Sequence, residues 1–95
     1  MTEIAAFSER RPCIAGPYRL QWEDVQQARV LLFPEGIVKL NRSAGEILLR
    51  CDGKRTTAQI VAELESAFGV APLGADVRSF LDLATLRRWI EWRTA

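Results

Sequence analysis

The feature that most constrains this fold is a tight reversal, Pro34-Glu35-Gly36, between two apolar runs. Proline presets the backbone angle φ for a turn, and glycine accepts the positive φ that many turns require. The flanking segments, ARVLLF and GIVKLN, are therefore predicted to be antiparallel strands of a hairpin. In the second strand, Ile37 and Lys39 face one side of the sheet, whereas Val38 and Leu40 face the other.

Further elements are predicted on both sides of this hairpin. The segment YRLQWED, at residues 18–24, alternates apolar and polar side chains and supplies a preceding strand. After Asn41 the spacing of apolar residues becomes helical, and three short helices are predicted. The first helix begins at a capping box with Ser43 as N-cap, with Asn41 as the alternative cap, and ends at Asp52-Gly53.

The second helix is predicted to begin at the capping box of Thr56 and Gln59 and to end at Gly69, and the third begins near Asp76. The closing segment RRWIEW either extends the third helix or forms a short strand. The fold class is thus α+β: a winged-helix-like domain with an N-terminal three-stranded antiparallel sheet followed by a three-helix bundle. Residues 1–17 show no periodicity and are predicted to be a flexible N-terminal arm, and residues 18–95 a single domain.

Missing residue types exclude several classes of function. The 95-residue chain has no histidine, so no Ser-His-Asp or Cys-His constellation can form within it. Its two cysteines, Cys13 and Cys51, are too few for a zinc site without histidine. No glycine-rich phosphate-binding motif occurs. We therefore expect a protein that is not an enzyme and that carries no metal or cofactor.

Charge and hydropathy also limit the possible partners and compartment. The net charge of +1 is spread along the chain without a strongly basic stripe, which does not favour nucleic acid. No apolar run approaches the ~18–20 residues of a membrane span, and the N-terminus has no secretion signal. A cytoplasmic location with reduced thiols is predicted, with Cys51 as a small buried hydrophobic residue.

The segment LLFPEGIVKLNRSAGEILLRCDGKRTTAQIVAEL resembles the PqqD family, pyrroloquinoline quinone biosynthesis protein D. The resemblance continues through DVRSFLDLA and covers about residues 18–86. Two departures are Arg29, where the family often has an aromatic residue, and the charged, aromatic ending RRWIEW. The positions that match the family pattern are Leu31, Leu32, Pro34, Glu35, Leu40, Asn41, Ala44, Ile47, Leu48, Cys51, Asp52, Gly53, Thr56 and Ile60.

This resemblance implies a peptide chaperone. Such a protein binds the precursor peptide PqqA and presents it to the radical S-adenosylmethionine enzyme PqqE, which cross-links a Glu and a Tyr of the peptide. Related domains are recognition elements for the leaders of ribosomally made, modified peptides (RiPPs). They bind the leader as an added strand beside the third strand, over the third helix. A winged-helix DNA-binding regulator is the rival hypothesis.

The expected peptide site therefore has two parts. An edge strand offers unpaired main-chain groups to an extended peptide, and a helix supplies the wall of a groove. The edge residues are Ile37, Val38, Lys39, Leu40 and Asn41, and the wall residues are Arg78, Leu81, Asp82 and Thr85.

Several of these residues also fit structural roles that involve no ligand. Val38 and Leu40 fit a core role, which leaves Ile37 and Lys39 to contact a ligand or solvent. Arg78 and Asp82 are four residues apart and can pair with each other. We expect a monomer to bind the peptide, while a homodimer or a strand swap through the free edge stays open.

Two further groups of residues have competing interpretations. The basic residues Arg42, Arg50, Lys54 and Arg55 form either a solvated face or a docking patch for the enzyme. Among the tryptophans, Trp22 and Trp89 are predicted to lie in the core and Trp92 to be exposed.

Overall fold

A three-stranded sheet precedes three helices in the chain, and two further strands, near the two ends of the described residues, pair in a separate ribbon. This architecture comes from a computed structural model that describes residues 7–93. The predicted α+β class and the order of strands before helices are confirmed. After a 3₁₀ turn at Phe7–Glu9, the elements are β1 Arg11–Ile14, β2 Arg19–Glu23, β3 Ala28–Phe33, β4 Gly36–Lys39, α1 Arg42–Leu49, α2 Thr57–Phe68, α3 Gly74–Leu86 and β5 Ile90–Arg93.

The three-stranded sheet has the antiparallel order β2-β3-β4, with the predicted hairpin between β3 and β4. Phe33 pairs with Gly36, so Pro34 and Glu35 are the two loop residues of the turn. Beyond the end of β4, the Leu40 amide donates to the carbonyl of Arg29 at 3.1 Å, which extends the pairing by one residue. The predicted strands of this region are therefore confirmed.

The ribbon of β1 and β5 corrects one prediction and decides another. Residues 11–14 had been predicted to belong to a flexible arm over 1–17, but Arg11–Ile14 is a strand, paired from Arg11↔Arg93 to Ile14↔Ile90. The segment RRWIEW is shown to end in a strand and does not extend α3. Local periodicity did not reveal β1, because its partner lies at the opposite end of the chain. Residues 1–6 are outside the described part.

Caps determine where the helices begin. Ser43 is not the N-cap of α1, because it already lies inside the helix. Asn41 takes that role, and its Oδ1 accepts the Ala44 amide at 2.8 Å. Helix α1 also ends at Leu49, before the predicted Asp52-Gly53.

The predicted caps of α2 are confirmed. The capping box of Thr56 and Gln59 is present at its start, and Gly69 ends it with a φ of 65°. Helix α3 begins at Gly74, two residues before the predicted start near Asp76.

The core lies between one face of the sheet and the three helices. Trp89 is 8% exposed and belongs to this core, as predicted. Trp22 is 47% exposed, so its predicted core position is wrong. The Arg29 guanidinium lies 5.5 Å from the centroid of the Trp22 ring, and the indole N–H donates to the Asp24 carboxylate. The core residues are Leu31, Leu40, Ala44, Ile47, Leu48, Cys51, Ile60, Leu64, Val77, Leu81, Ala84, Trp89 and Ile90.

Candidate functional site

Strand β4 has a partner on one side and, within residues 7–93, none on the other. The bond from the Leu40 amide to Arg29 fixes which main-chain groups point which way. Groups in an antiparallel strand alternate in direction, so the amides of Leu40 and Val38 face β3. The N–H and C=O groups of Ile37 and Lys39 consequently point outward. These outward groups form one of the two unpaired edges of the sheet within residues 7–93, the other being that of β2, and we call it the open edge.

The side chains of β4 also separate into two faces. Ile37 is 54% exposed, and Lys39 is exposed beside it. Leu40 is only 5% exposed, and Val38 is half-buried against the core. The prediction that Val38 and Leu40 face the core while Ile37 and Lys39 face outward is therefore confirmed. Leu40 supports the edge from beneath.

An apolar groove of about 460 Å³ begins where β4 ends. Asn41 lines this groove. It follows Lys39, the last residue of β4, by two positions, so the groove and the open edge are adjacent along the chain. Most of its lining is aliphatic or aromatic, which suits the burial of apolar side chains. We call it the α3 groove; its lining residues are Asn41, Ser43, Ala44, Ile47, Leu64, Phe68, Leu73, Asp76, Val77, Phe80 and Leu83.

Helix α3 faces this groove with a different set of residues from those predicted for the wall. Asp76, Phe80 and Leu83 follow helical spacing along the groove flank. None of the four predicted wall residues lines the groove. Sequence reasoning missed Phe80 and Leu83 as groove residues, although their helical spacing and apolar character were a usable signal.

The predicted wall residues have other surroundings. Leu81 is fully buried in the core, and Asp82 is exposed on α3 away from the groove. Arg78 lies with its guanidinium 4.5 Å from the centroid of the Phe7 ring. The Thr85 hydroxyl accepts the indole N–H of Trp92 at 2.9 Å. Of the nine predicted site residues, the structure therefore places only Asn41 at the α3 groove, and it places Arg78 and Thr85 elsewhere.

Residues near the two ends of the described chain contact the other flank of α3, where Arg78 and Thr85 remain exposed. The rings of Phe7 and Trp92 pack with their centroids 5.4 Å apart. The Arg10 guanidinium lies 4.5 Å from the centroid of the Trp92 ring, on which it stacks. Phe7, Arg10, Arg78 and Trp92 form what we call the aromatic clamp. Trp92 is half-buried within it, so its predicted role as an exposed anchor has little support.

Two residues of the predicted basic patch, Arg50 and Arg55, are neutralised by ion pairs. A chain of ion pairs runs from Arg29 through Glu46, Arg50, Glu63 and Arg55 to Asp52, with N···O distances of 2.7–3.1 Å. We call this chain the ion ladder; it contains two of the predicted patch residues. A third, Arg42, lies over the Phe68 ring at 4.9 Å. The ion ladder therefore reduces the positive charge that the predicted patch can offer to a phosphate backbone.

Hydrogen bonds within the ladder stabilise its carboxylates. The bond from Arg50 holds the pKa of Glu46 below its usual value, against the opposing effect of burial. The bond from Arg55 does the same for the pKa of Glu63. Within the described range, no group of three or more Cys, Asp or Glu residues has the geometry to hold a metal ion.

The two cysteines are free thiols, with Cys51 buried and Cys13 half-buried. Burial raises the pKa of the Cys51 thiol to about 12, so it is not a thiolate nucleophile at neutral pH. From residue 7 to residue 93, no helix combines the length and the apolar character needed to cross a bilayer.

Comparison with known proteins links this arrangement to one family. The family model described as "Coenzyme PQQ synthesis protein D (PqqD)" matches residues 28–90. A "PqqA binding protein" of Pseudomonas fluorescens strain Pf-5 is 49% identical over 75 residues, covering 78% of this chain and 82% of that protein. The protein of the same name from Kluyvera intermedia is 45% identical over 83 residues, covering 86% and 90%.

A solved structure is also similar. It is the solution NMR structure of the PqqD truncation of Methylobacterium extorquens PqqCD, described as a functional, stand-alone RiPP recognition element. The TM-score is 0.74 and the sequence identity 28%, with 90% of this chain and 93% of that chain covered. The resemblance read from the sequence is confirmed.

Proposed function

This chain belongs to the PqqD family, and we propose that it is a peptide chaperone that binds the precursor peptide PqqA and presents it to the radical S-adenosylmethionine enzyme PqqE. The names of its relatives, PqqA binding proteins and a RiPP recognition element, support the first half of this proposal. The observation that carries it is the open edge of β4 beside an apolar groove.

Main-chain pairing supplies the first part of the binding energy. An extended peptide laid along β4 can exchange hydrogen bonds with the outward groups of Ile37 and Lys39. Each such bond contributes about 0.5–1.5 kcal/mol net. Because every residue except proline carries the same main-chain groups, this contribution depends little on the peptide sequence.

The α3 groove supplies selectivity. Alternate side chains of an added strand point to the same face, so apolar residues of the peptide can reach the groove beyond Asn41. There they pack against Phe80 and Leu83 on α3. A peptide with the correct apolar spacing therefore binds better than an unrelated extended chain.

The chain itself does no chemistry in this proposal. It holds the peptide extended, and PqqE carries out the cross-link. We place this activity in the cytoplasm and expect a monomer to be the binding form, because pairing of two β4 edges would occupy the peptide site.

Titration of two labelled ligands at physiological salt tests the proposal. One ligand is the precursor peptide PqqA, and the other is a DNA duplex that carries the same label. We expect saturable binding of the peptide and only weak binding of the duplex, since the net charge is +1 and the ladder arginines are paired. Tighter binding of the duplex, with a steep dependence on salt, would contradict the proposal.

Presentation to PqqE needs a separate assay. The rate of peptide cross-linking is measured with and without this chain, at a peptide concentration below saturation. We expect the chain to raise the rate. A Lys39→Pro variant, with a weakened edge, should raise it less than the Lys39→Ala control, which keeps the amide. Equal rates with and without the chain would contradict its role in presentation.

A further inference from the structure

The α3 groove contains one charged side chain among its lining residues, Asp76. The carboxylate lies in the first turn of α3 and is exposed. In the ion pairs formed within residues 7–93, Asp76 takes no part. Its charge is thus available to a ligand in the groove.

The other polar residues that line the groove, Asn41 and Ser43, are uncharged. The Asn41 Oδ1 atom accepts the Ala44 amide at 2.8 Å as the cap of α1. Arg42 is held over the Phe68 ring and does not line the groove. Asp76 is therefore the group that can give the groove a preference for charge.

The surroundings of Asp76 suit one type of side chain. Phe80 lies one turn further along the same flank, and Leu83 follows it. A lysine or arginine side chain can lay its aliphatic stem on apolar residues while its charged head reaches a carboxylate. An acidic side chain would meet the like charge of Asp76, and a small polar one would leave the apolar wall uncovered.

We propose that Asp76 is a specificity-determining residue that pairs with a lysine or arginine of the precursor peptide, whose stem packs on Phe80 and Leu83. This inference rests on the proposed function, because it assigns the class of side chain that the α3 groove selects. A purely structural role predicts a different behaviour. The negative charge also complements the positive end of α3, and loss of that effect would lower stability slightly without changing which peptides bind.

A set of peptides and three proteins tests the inference. The peptides are the precursor PqqA and variants in which each lysine or arginine is replaced, one at a time, by glutamine. The proteins are the wild type, Asp76→Asn, and the matched control Asp82→Asn, which removes an exposed carboxylate of α3 outside the groove. Dissociation constants are measured at low and at physiological salt, and circular dichroism checks that all three proteins are folded.

We expect one peptide position where glutamine weakens binding to the wild type and to Asp82→Asn by about two- to fivefold, as for a partly exposed ion pair. The same replacement should leave binding to Asp76→Asn unchanged within error. Equal losses for all three proteins at every position would overturn the inference but keep the proposed function. Absence of peptide binding to the wild type would overturn both.

Discussion

The two flanks of α3 differ in the contacts that their side chains make within the described structure. On the clamp flank, Arg78 and Thr85 contact Phe7 and Trp92 of the chain itself. On the groove flank, Leu83 is 39% exposed within the described structure. Side chains of one helix can thus contact residues of the same molecule, as on the clamp flank, or stay exposed to a partner, as on the groove flank. Only exposed apolar side chains of this second kind mark a candidate binding surface.

The sheet repeats this contrast. Strand β3 is paired on both sides, whereas β4 is paired on one side and presents the outward groups of Ile37 and Lys39 on the other. We call the ribbon, the clamp and the ion ladder the closed region, because their residues bind each other, and we call the β4 edge with the α3 groove the open region. Variants in the two regions should change different properties.

Removal of Trp92 should have the largest effect on stability. Trp92→Ala deletes the ring that contacts Phe7, Arg10 and Thr85. Because the ring is half-buried, we expect a loss of about 2–3 kcal/mol in the free energy of unfolding, below the range for fully buried tryptophan. Urea denaturation measures this loss, and peptide affinity of the folded variant should change by less than about twofold.

The matched variant on the groove flank should behave in the opposite way. Leu83→Ala removes a partly exposed side chain, so its cost in stability should be below about 1 kcal/mol. Its peptide affinity should fall by about two- to fivefold through lost apolar contact. If Trp92→Ala abolished peptide binding in the folded protein and Leu83→Ala did not, the assignment of the two flanks would be reversed.

Proline in β4 tests the open edge. Lys39→Pro removes an outward amide and with it one bond to the peptide, worth about 0.5–1.5 kcal/mol. Peptide affinity should fall about threefold or more, while Lys39→Ala, which keeps the amide, should bind almost as the wild type does. Circular dichroism must show both variants folded. Equal affinity of the proline and alanine variants would argue against strand addition at this position.

Acid should weaken the closed region through the ion ladder. Glu46 has a pKa lowered in the folded protein from an ordinary value of 4.5, so its contribution to stability is complete above pH 4.5 and is lost as pH falls through the folded pKa. Glu46→Gln should destabilise the protein by about 1 kcal/mol at pH 7, and the difference should shrink toward pH 3. Urea denaturation at both values measures it. A difference that stays constant with pH would show that the charge of Glu46 contributes nothing.

Local sequence signals were sufficient for much of this fold. The turn at Pro34-Glu35, the capping box of Thr56 and the stop at Gly69 each act within a few residues, and all three are present. The ribbon could not be predicted, because β1 is short and pairs with the opposite end of the chain. Trp22 follows the core alternation, but its ring is left at the surface beside the Arg29 guanidinium, a contact that the alternation does not predict.

The sequence predicts the edge strand of the candidate site but not the groove beside it. The position of the free edge follows from strand order, which the hairpin and the preceding strand indicate. The direction of each amide depends on which residues of β4 bond to β3, and the bond from the Leu40 amide to the Arg29 carbonyl reveals this. The groove flank depends on the rotation of α3 about its axis. Apolar residues cover much of that helix, so its own periodicity does not distinguish Leu81 in the core from Leu83 at the groove.

Amide hydrogen exchange with and without the precursor peptide tests the central claim most directly. The outward amides of Ile37 and Lys39 have no partner strand in the described structure, whereas Leu40 already donates to Arg29. We predict that bound peptide slows exchange at Ile37 and Lys39 and changes Leu40 much less. Unchanged exchange at Ile37 and Lys39, with new protection confined to residues 50–70, would contradict strand addition at β4 and place the peptide on the first two helices.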